Sequence, residues 1–166
     1  MLWLPSRRFR ELTEILASRR PDAAAFLRGS PDYPNLRGTA AFYDTPHGTL
    51  AAVEVSGLPN REGPCGGNIF AMHIHSGGMC KGTLEDPFAD AGAHYNPQNC
   101  SHPYHAGDLP PLFESGGAAF SAFLTGRFHP QDVLGRTLII HGGLDDFTTQ
   151  PSGNAGKKIA CGIIRR

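Results

Sequence analysis

Four short histidine-bearing segments must meet in space, and that requirement constrains the fold more than any other feature of this chain. They are His73-Ile-His75, Ala-Gly-Ala-His94-Tyr-Asn-Pro, His102-Pro-Tyr-His105-Ala-Gly-Asp108-Leu and Arg-Thr-Leu-Ile-Ile-His141. Together they hold six of the eight histidines. A metal ion needs about four donors converging within roughly 2 Å of it. Four neutral imidazoles suit copper, and imidazoles with a carboxylate suit zinc.

Residues 6–20 read as one amphipathic helix. Phe9, Leu12, Ile15 and Leu16 recur at helical spacing, and Pro21 ends the run. Its apolar stripe is expected to pack against the body of the protein. From residue 22 onward, short apolar segments alternate with Gly, Pro and Asn punctuation, which predicts an antiparallel all-β domain. The predicted strands are 24–28, 38–43, 49–55, 69–75, 118–124, 136–141 and 158–164. The chain thus divides into a helix, 1–21, and a β domain, 22–166. Two stretches, 77–112 and 142–156, are too long for simple connections, and loops of that size are usually functional.

A chain of 166 residues suits one domain with its own core. The formal charge is zero, which argues against general affinity for nucleic acid or an anionic membrane. The charge is unevenly spread: residues 1–28 carry six arginines and three acids, leaving nine basic and twelve acidic residues beyond. Those arginines read as a solvated helix face. No apolar run reaches the roughly 20 residues that span a bilayer. No signal peptide is visible, so either the sequence is that of a mature chain or the protein stays in the cytoplasm, and a cytoplasmic location is expected. Four cysteines are too few for a disulfide-dense scaffold.

Side chains two apart share one face of a strand, so His73 and His75 point the same way. Phe70, Met72 and Ile74 then enter the core, and the histidines lie on the outer wall of the domain. His141 ends a strand on which Leu138 and Ile140 face one side, Ile139 and His141 the other. His94, His102, His105 and Asp108 lie within fifteen residues and make a closed set of the structural zinc type. Gly92 and Gly107 give that segment the freedom to fold back on a metal. If zinc takes His94, the set of His73, His75 and His141 lacks one donor. An imidazolate binds through each ring nitrogen, so one shared histidine would complete both sites. His47 and His129 sit in turn-like settings and read as surface residues.

The chain resembles the copper–zinc superoxide dismutases from about residue 24 to residue 164. The resemblance rests on Met-His73-Ile-His75, Ala-Gly-Ala-His94-Tyr-Asn-Pro, His105-Ala-Gly-Asp108-Leu, Gly-Arg-Thr-Leu-Ile-Ile-His141 and Gly-Asn-Ala-Gly-Lys-Lys-Ile-Ala-Cys161-Gly, in the family's order. It implies an eight-stranded Greek-key β-barrel, an immunoglobulin-like sandwich with a metal-binding loop and an electrostatic loop, here with an extra N-terminal helix. It implies His73, His75, His94 and His141 as copper ligands and His94, His102, His105 and Asp108 as zinc ligands, with His94 as the bridge. Asp145 matches the aspartate that links a copper histidine to a zinc histidine. Cys80 and Cys161 match the family's disulfide. The implied activity converts superoxide to O2 and hydrogen peroxide, with copper cycling between Cu(II) and Cu(I) and zinc structural. His94 and Lys158 are the implied catalytic residues, and family members dimerise through differing barrel faces, so a homodimer fits.

Three features depart from the family pattern. The familiar active-site arginine is Lys158, which keeps the charge but loses the planar fork. The loop 142–156 is short, with few charges beyond Asp145 and Asp146. Cys65 and Cys100 have no counterpart and are candidates for a second bridge. Two other readings remain open on the residues alone: a non-catalytic copper/zinc-binding module on the same fold, and a zinc hydrolase. The hydrolase needs an open metal position, which two full ligand sets argue against.

Overall fold

The structure, a computed structural model, describes residues 5–60, 63 and 68–166. Helix α1 runs Arg7–Ser18 and is started by Ser6, whose hydroxyl accepts a hydrogen bond from the Phe9 N–H. It stops before Pro21, at Arg19, which turns to extended backbone. None of its residues is fully buried; Leu12, Ile15 and Leu16 are half-buried. Arg19 donates to the Asp44 carbonyl at 2.7 Å and pairs with Asp22, and Glu11 lies 3.6 Å from His47. These contacts place α1 beside the hairpin that ends near residue 45.

The strands are β1 (Ala23–Gly29), β2 (Arg37–Thr45), β3 (Gly48–Ser56), β4 (Ile69–Phe70), β5 (Met72–His75), β6 (Leu112–Phe113), β7 (Ala118–Thr125), β8 (Thr137–His141) and β9 (Lys158–Arg165). Seven of them form one antiparallel sheet in the order β5-β8-β9-β1-β2-β3-β7. The other two, β4 and β6, pair with each other. The chain runs from β4 through Ala71 directly into β5, which links this two-stranded strip to the large sheet. The chain jumps from β3 to the opposite edge and later returns beside β3 as β7, which agrees with the Greek-key order expected. The curled sheet buries one large core that includes Leu27, Phe42, Val53, Met72, Leu138 and Ile164. Tyr43 and its cross-strand partner Leu50 face the other way from Phe42 and Ala51, yet both are buried.

Two details differ from the sequence reading. The predicted strand 69–75 breaks at Ala71, whose N–H goes to the Gly143 carbonyl at 2.8 Å while its carbonyl accepts the His141 N–H at 2.9 Å. Those bonds redirect the chain, so its two halves pair with different strands. The strand β6 lies at the end of a stretch expected to be loop. Pro110 and Pro111 precede it and cannot donate to a ladder, which hides so short a strand from pattern reading. Among the described residues no helix is long and apolar enough to cross a membrane.

Candidate metal centre

Strand alternation carries Met72 and Ile74 into the main core and turns His73 and His75 to the opposite side. The segment 94–108 folds back along the free edge of β5. The Ile74 N–H donates to the Gly107 carbonyl and the Tyr95 N–H to the Ile74 carbonyl, both at 2.8 Å. Bridges pair His73 with Asp108 and His75 with His94. Gly107 is required here, because a Cβ at that position would lie 2.2 Å from the Ile74 carbonyl oxygen. His141 arrives from β8. Seven side chains thereby form two four-member groups, His73, His75, His94 and His141, and His94, His102, His105 and Asp108. In each group the ligand atoms lie within 4.8 Å of one another. Every one of these residues is at most 8% exposed.

The hydrogen bonds fix which nitrogens carry protons. A neutral imidazole has one donor and one acceptor nitrogen. His75 Nδ1 donates to the Gly92 carbonyl at 2.7 Å, and His141 Nδ1 to the Gly156 carbonyl at 3.2 Å. Both Nε2 atoms must then be lone-pair acceptors, yet they face each other 3.2 Å apart. Two lone pairs so placed repel unless a cation sits between them. Asp145 acts on the other rings: its two carboxylate oxygens accept from His73 Nε2 at 2.8 Å and from His102 Nε2 at 2.9 Å. That leaves the Nδ1 lone pairs of His73 and His102 turned into the two groups, and both are buried without a hydrogen bond. His102 Nδ1 does lie 3.0 Å from Asp108, but without hydrogen-bond alignment, as two ligands of one ion would. His94 presents Nδ1 to Asp108 at 2.7 Å, while its Nε2 is buried and unpartnered. Among the described residues, His73, His94 and His102 supply all the orphaned buried side-chain nitrogens, which is the signature of a metal-binding donor set. The residues fit copper and zinc.

Burial keeps His73, His75 and His141 neutral, as metal ligands must be. It lowers His75 to a pKa of about 3, with the neighbouring His141 reinforcing the shift. It lowers His141 to about 4, although the bond to Gly156 opposes this. His73 is pushed further down, again by burial first and then by His94. Burial would raise the Asp108 carboxyl, but the hydrogen bond and charge of His94 outweigh it and hold Asp108 below the usual carboxylate range.

A frame of contacts holds the loops in place. Cys80 and Cys161 form a disulfide, and Phe88, Ala91, Ile139 and Cys161 build a second small core beside it. Cys100 is exposed, and its suggested partner Cys65 lies outside the described residues. Sequence reasoning missed three contributors. Arg127 Nη1 donates to the carbonyls of Pro103, His105 and Asp108 at 2.9, 3.2 and 3.1 Å, pinning the loop that carries three ligand side chains. Gly153, at φ +66°, lies so close over Asp145 and His102 that a Cβ would come within 1.9 Å of Asp145 Oδ1. Asp86 contacts Lys158 at 2.5 Å, so this lysine is paired with a carboxylate. Arg127 and Asp86 lie outside the motifs, and Gly153 opens the Gly-Asn-Ala-Gly stretch with nothing in the sequence to name the residues it approaches; only their distant partners give the three meaning. Of the two remaining histidines, His129 is exposed and bonded to Asp44, and His47 is half-buried beside Glu11.

A cavity of about 920 Å³ opens over the first group; His75, His94, His141 and Lys158 are among its walls. Asp145 is buried, so of the two adjacent acids in the loop after β8 only Asp146 meets solvent, where it accepts bonds from Thr148 and Thr149.

Comparison with known proteins agrees with this geometry. The profile of the copper/zinc superoxide dismutase family matches residues 36–164. A copper–zinc superoxide dismutase 2 from Aquifex aeolicus is 35% identical over 144 residues, covering 77% of this chain and 78% of that protein. A copper–zinc superoxide dismutase from Deinococcus radiodurans is 36% identical over 147 residues, covering 77% and 76%. The solved structure of a Cu/Zn superoxide dismutase from Brucella abortus shares the fold with a TM-score of 0.71 at 23% identity, over 86% of this chain and 99% of that one. With the family match spanning most of its length, this chain belongs to the copper/zinc superoxide dismutases.

Proposed function

We propose that the chain converts superoxide to O2 and hydrogen peroxide, with copper held by His73, His75, His94 and His141 and zinc by His94, His102, His105 and Asp108. The observation that carries the reading is the opposed pair of Nε2 lone pairs on His75 and His141, 3.2 Å apart beside the unpartnered Nε2 of His94. Bound copper supplies one-electron chemistry, taking an electron from one superoxide and giving it to a second, while zinc has no redox step.

The rest falls to the protein. His94 presents one nitrogen to each group, so its Nε2 can hold a proton whenever it is not a ligand and deliver that proton to reduced substrate. Asp108, 2.7 Å from His94 Nδ1, keeps the other side of the ring oriented, and a bound zinc would be held there with it. Asp145 orients one imidazole of each group, a kind of support that also raises ligand basicity. Lys158, on the wall of the cavity, attracts and positions the anion. In this reading residues 22–166 form the catalytic domain and 1–21 an appended helix.

The test is metal content by mass spectrometry together with a superoxide dismutation assay. One copper and one zinc per chain, with activity that tracks copper, is the expected result. A protein that takes zinc at both sites and refuses copper under every loading condition overturns the redox assignment.

A further inference from the structure

We infer that Asp86 sets how strongly the cavity over the first histidine group attracts anions, by holding Lys158 and offsetting its charge. The inference rests on the reading of Lys158 as the cation that draws superoxide inward. Lys158 and Asp86 line the same cavity as His75, His94 and His141. Their contact is short, 2.5 Å from Nζ to Oδ2, and the lysine side chain is only 17% exposed.

This is not a chance meeting of two mobile surface chains. The Asp86 carboxylate also accepts the Phe88 N–H at 3.1 Å, and the Asp86 carbonyl accepts the N–H groups of Thr83 and Ala89. Phe88 is buried against Ile139 and Cys161 in the second core. The disulfide from Cys80 joins the same segment to Cys161, on the strand that begins with Lys158. Carboxylate and ammonium are therefore delivered by two segments locked together. Burial alone would raise the Asp86 carboxyl; the bonds from Lys158 and from the Phe88 N–H outweigh it and keep Asp86 ionised.

A lone ammonium attracts a monoanion over about a Debye length, roughly 8 Å in physiological salt. An ammonium paired with a carboxylate acts as a dipole, whose field falls faster with distance. Asp86 occupies one of the three N–H donors of Lys158, so donors remain for an anion that has already arrived. Pairing thus weakens long-range pull while keeping short-range positioning. Asp32, Glu85 and Lys157 also face the cavity and set the background on which this pair acts.

The experiment uses the metal-loaded full chain as parent, Asp86→Asn, Asp86→Glu and Lys158→Met. Asparagine keeps an acceptor for the Phe88 N–H and removes the charge. Three quantities are read: the rate constant for superoxide against ionic strength, the affinity for azide by absorption titration of the copper, and metal content. Asp86→Asn is expected to raise the low-salt rate constant by about threefold to tenfold, to steepen its fall with salt, and to tighten azide binding by a similar factor. Asp86→Glu is expected to return parent values, and Lys158→Met to lose rate and azide affinity at full metal content. If Lys158→Met weakens both while Asp86→Asn leaves both unchanged, or weakens azide binding, the lysine reading stands and the role given to Asp86 is overturned. If Lys158→Met changes neither, the lysine reading fails and takes the inference with it.

Discussion

Replacing Asp145 with asparagine is expected to weaken copper binding and largely spare zinc. Asp145 is 2% exposed, and its two oxygens serve different rings, Oδ2 the Nε2 of His73 at 2.8 Å and Oδ1 the Nε2 of His102 at 2.9 Å. Oδ1 also accepts the Phe147 N–H at 2.8 Å. An amide has one oxygen, and two donors favour keeping it at the Oδ1 position. Its NH2 then faces the Nε2–H of His73, donor against donor. His73 can escape only by moving its proton to Nδ1, which puts a hydrogen where the metal lone pair was, or by turning away. Loss of such an orienting partner typically costs about tenfold to a hundredfold in metal affinity, or roughly 1.4 to 2.8 kcal/mol. Competitive chelator titrations, run separately for copper and zinc on metal-free protein, measure it. Copper should weaken by that factor, and zinc should change by less than about threefold. The reasoning fails if copper affinity is unchanged, or if zinc weakens more than copper.

Three further outcomes follow from the same geometry. His94→Ala should damage both metal sites, whereas His141→Ala should lose copper and keep zinc; normal copper spectra and normal zinc affinity in His94→Ala would show that the ring does not bridge. Reducing the Cys80–Cys161 disulfide, which spans 81 residues, should lower stability by about 4 kcal/mol in the chain-entropy model, read as a shift in urea midpoint with and without reductant. Metal-free protein should lose stability as pH falls from about 6.5 toward 4. His75 and His141 stay neutral when folded, to about 3 and 4, so the unfolded chain binds more protons in that window. Each contributes a slope of about 1.4 kcal/mol per pH unit, and urea midpoints that are flat from pH 7 to 4.5 would contradict it.

The ligand segments were legible because histidines are scarce elsewhere and strand alternation decides which way His73 and His75 point. The core positions on β5 and β8 follow from the same period of two. The break at Ala71 was not legible. It depends on backbone bonds to Gly143 and His141, about 70 residues away, and no side chain signals it. The pairing of Lys158 with Asp86, 72 residues earlier, was hidden for a similar reason, because one acid among several in a long loop carries no mark of its partner. Gly153 opens the Gly-Asn-Ala-Gly stretch of the motif, yet nothing in that run reveals its closeness to Asp145.

The return of segment 94–108 along β5 has a consequence for self-association. A sheet edge offers a row of unpaired N–H and C=O groups to any passing strand. On β5 those groups are taken by the ligand-bearing segment itself, through Gly107, Tyr95 and Leu109. A zinc ion held by His94, His105 and Asp108, as proposed, would therefore also keep this edge shut. Stripping the metals should loosen the segment and bare an apolar strand, Met72-His-Ile-His75, to another copy of the chain. Metal-depleted protein is accordingly the form in which polymerisation by edge-to-edge pairing should begin, and returning zinc should suppress it before any copper is added.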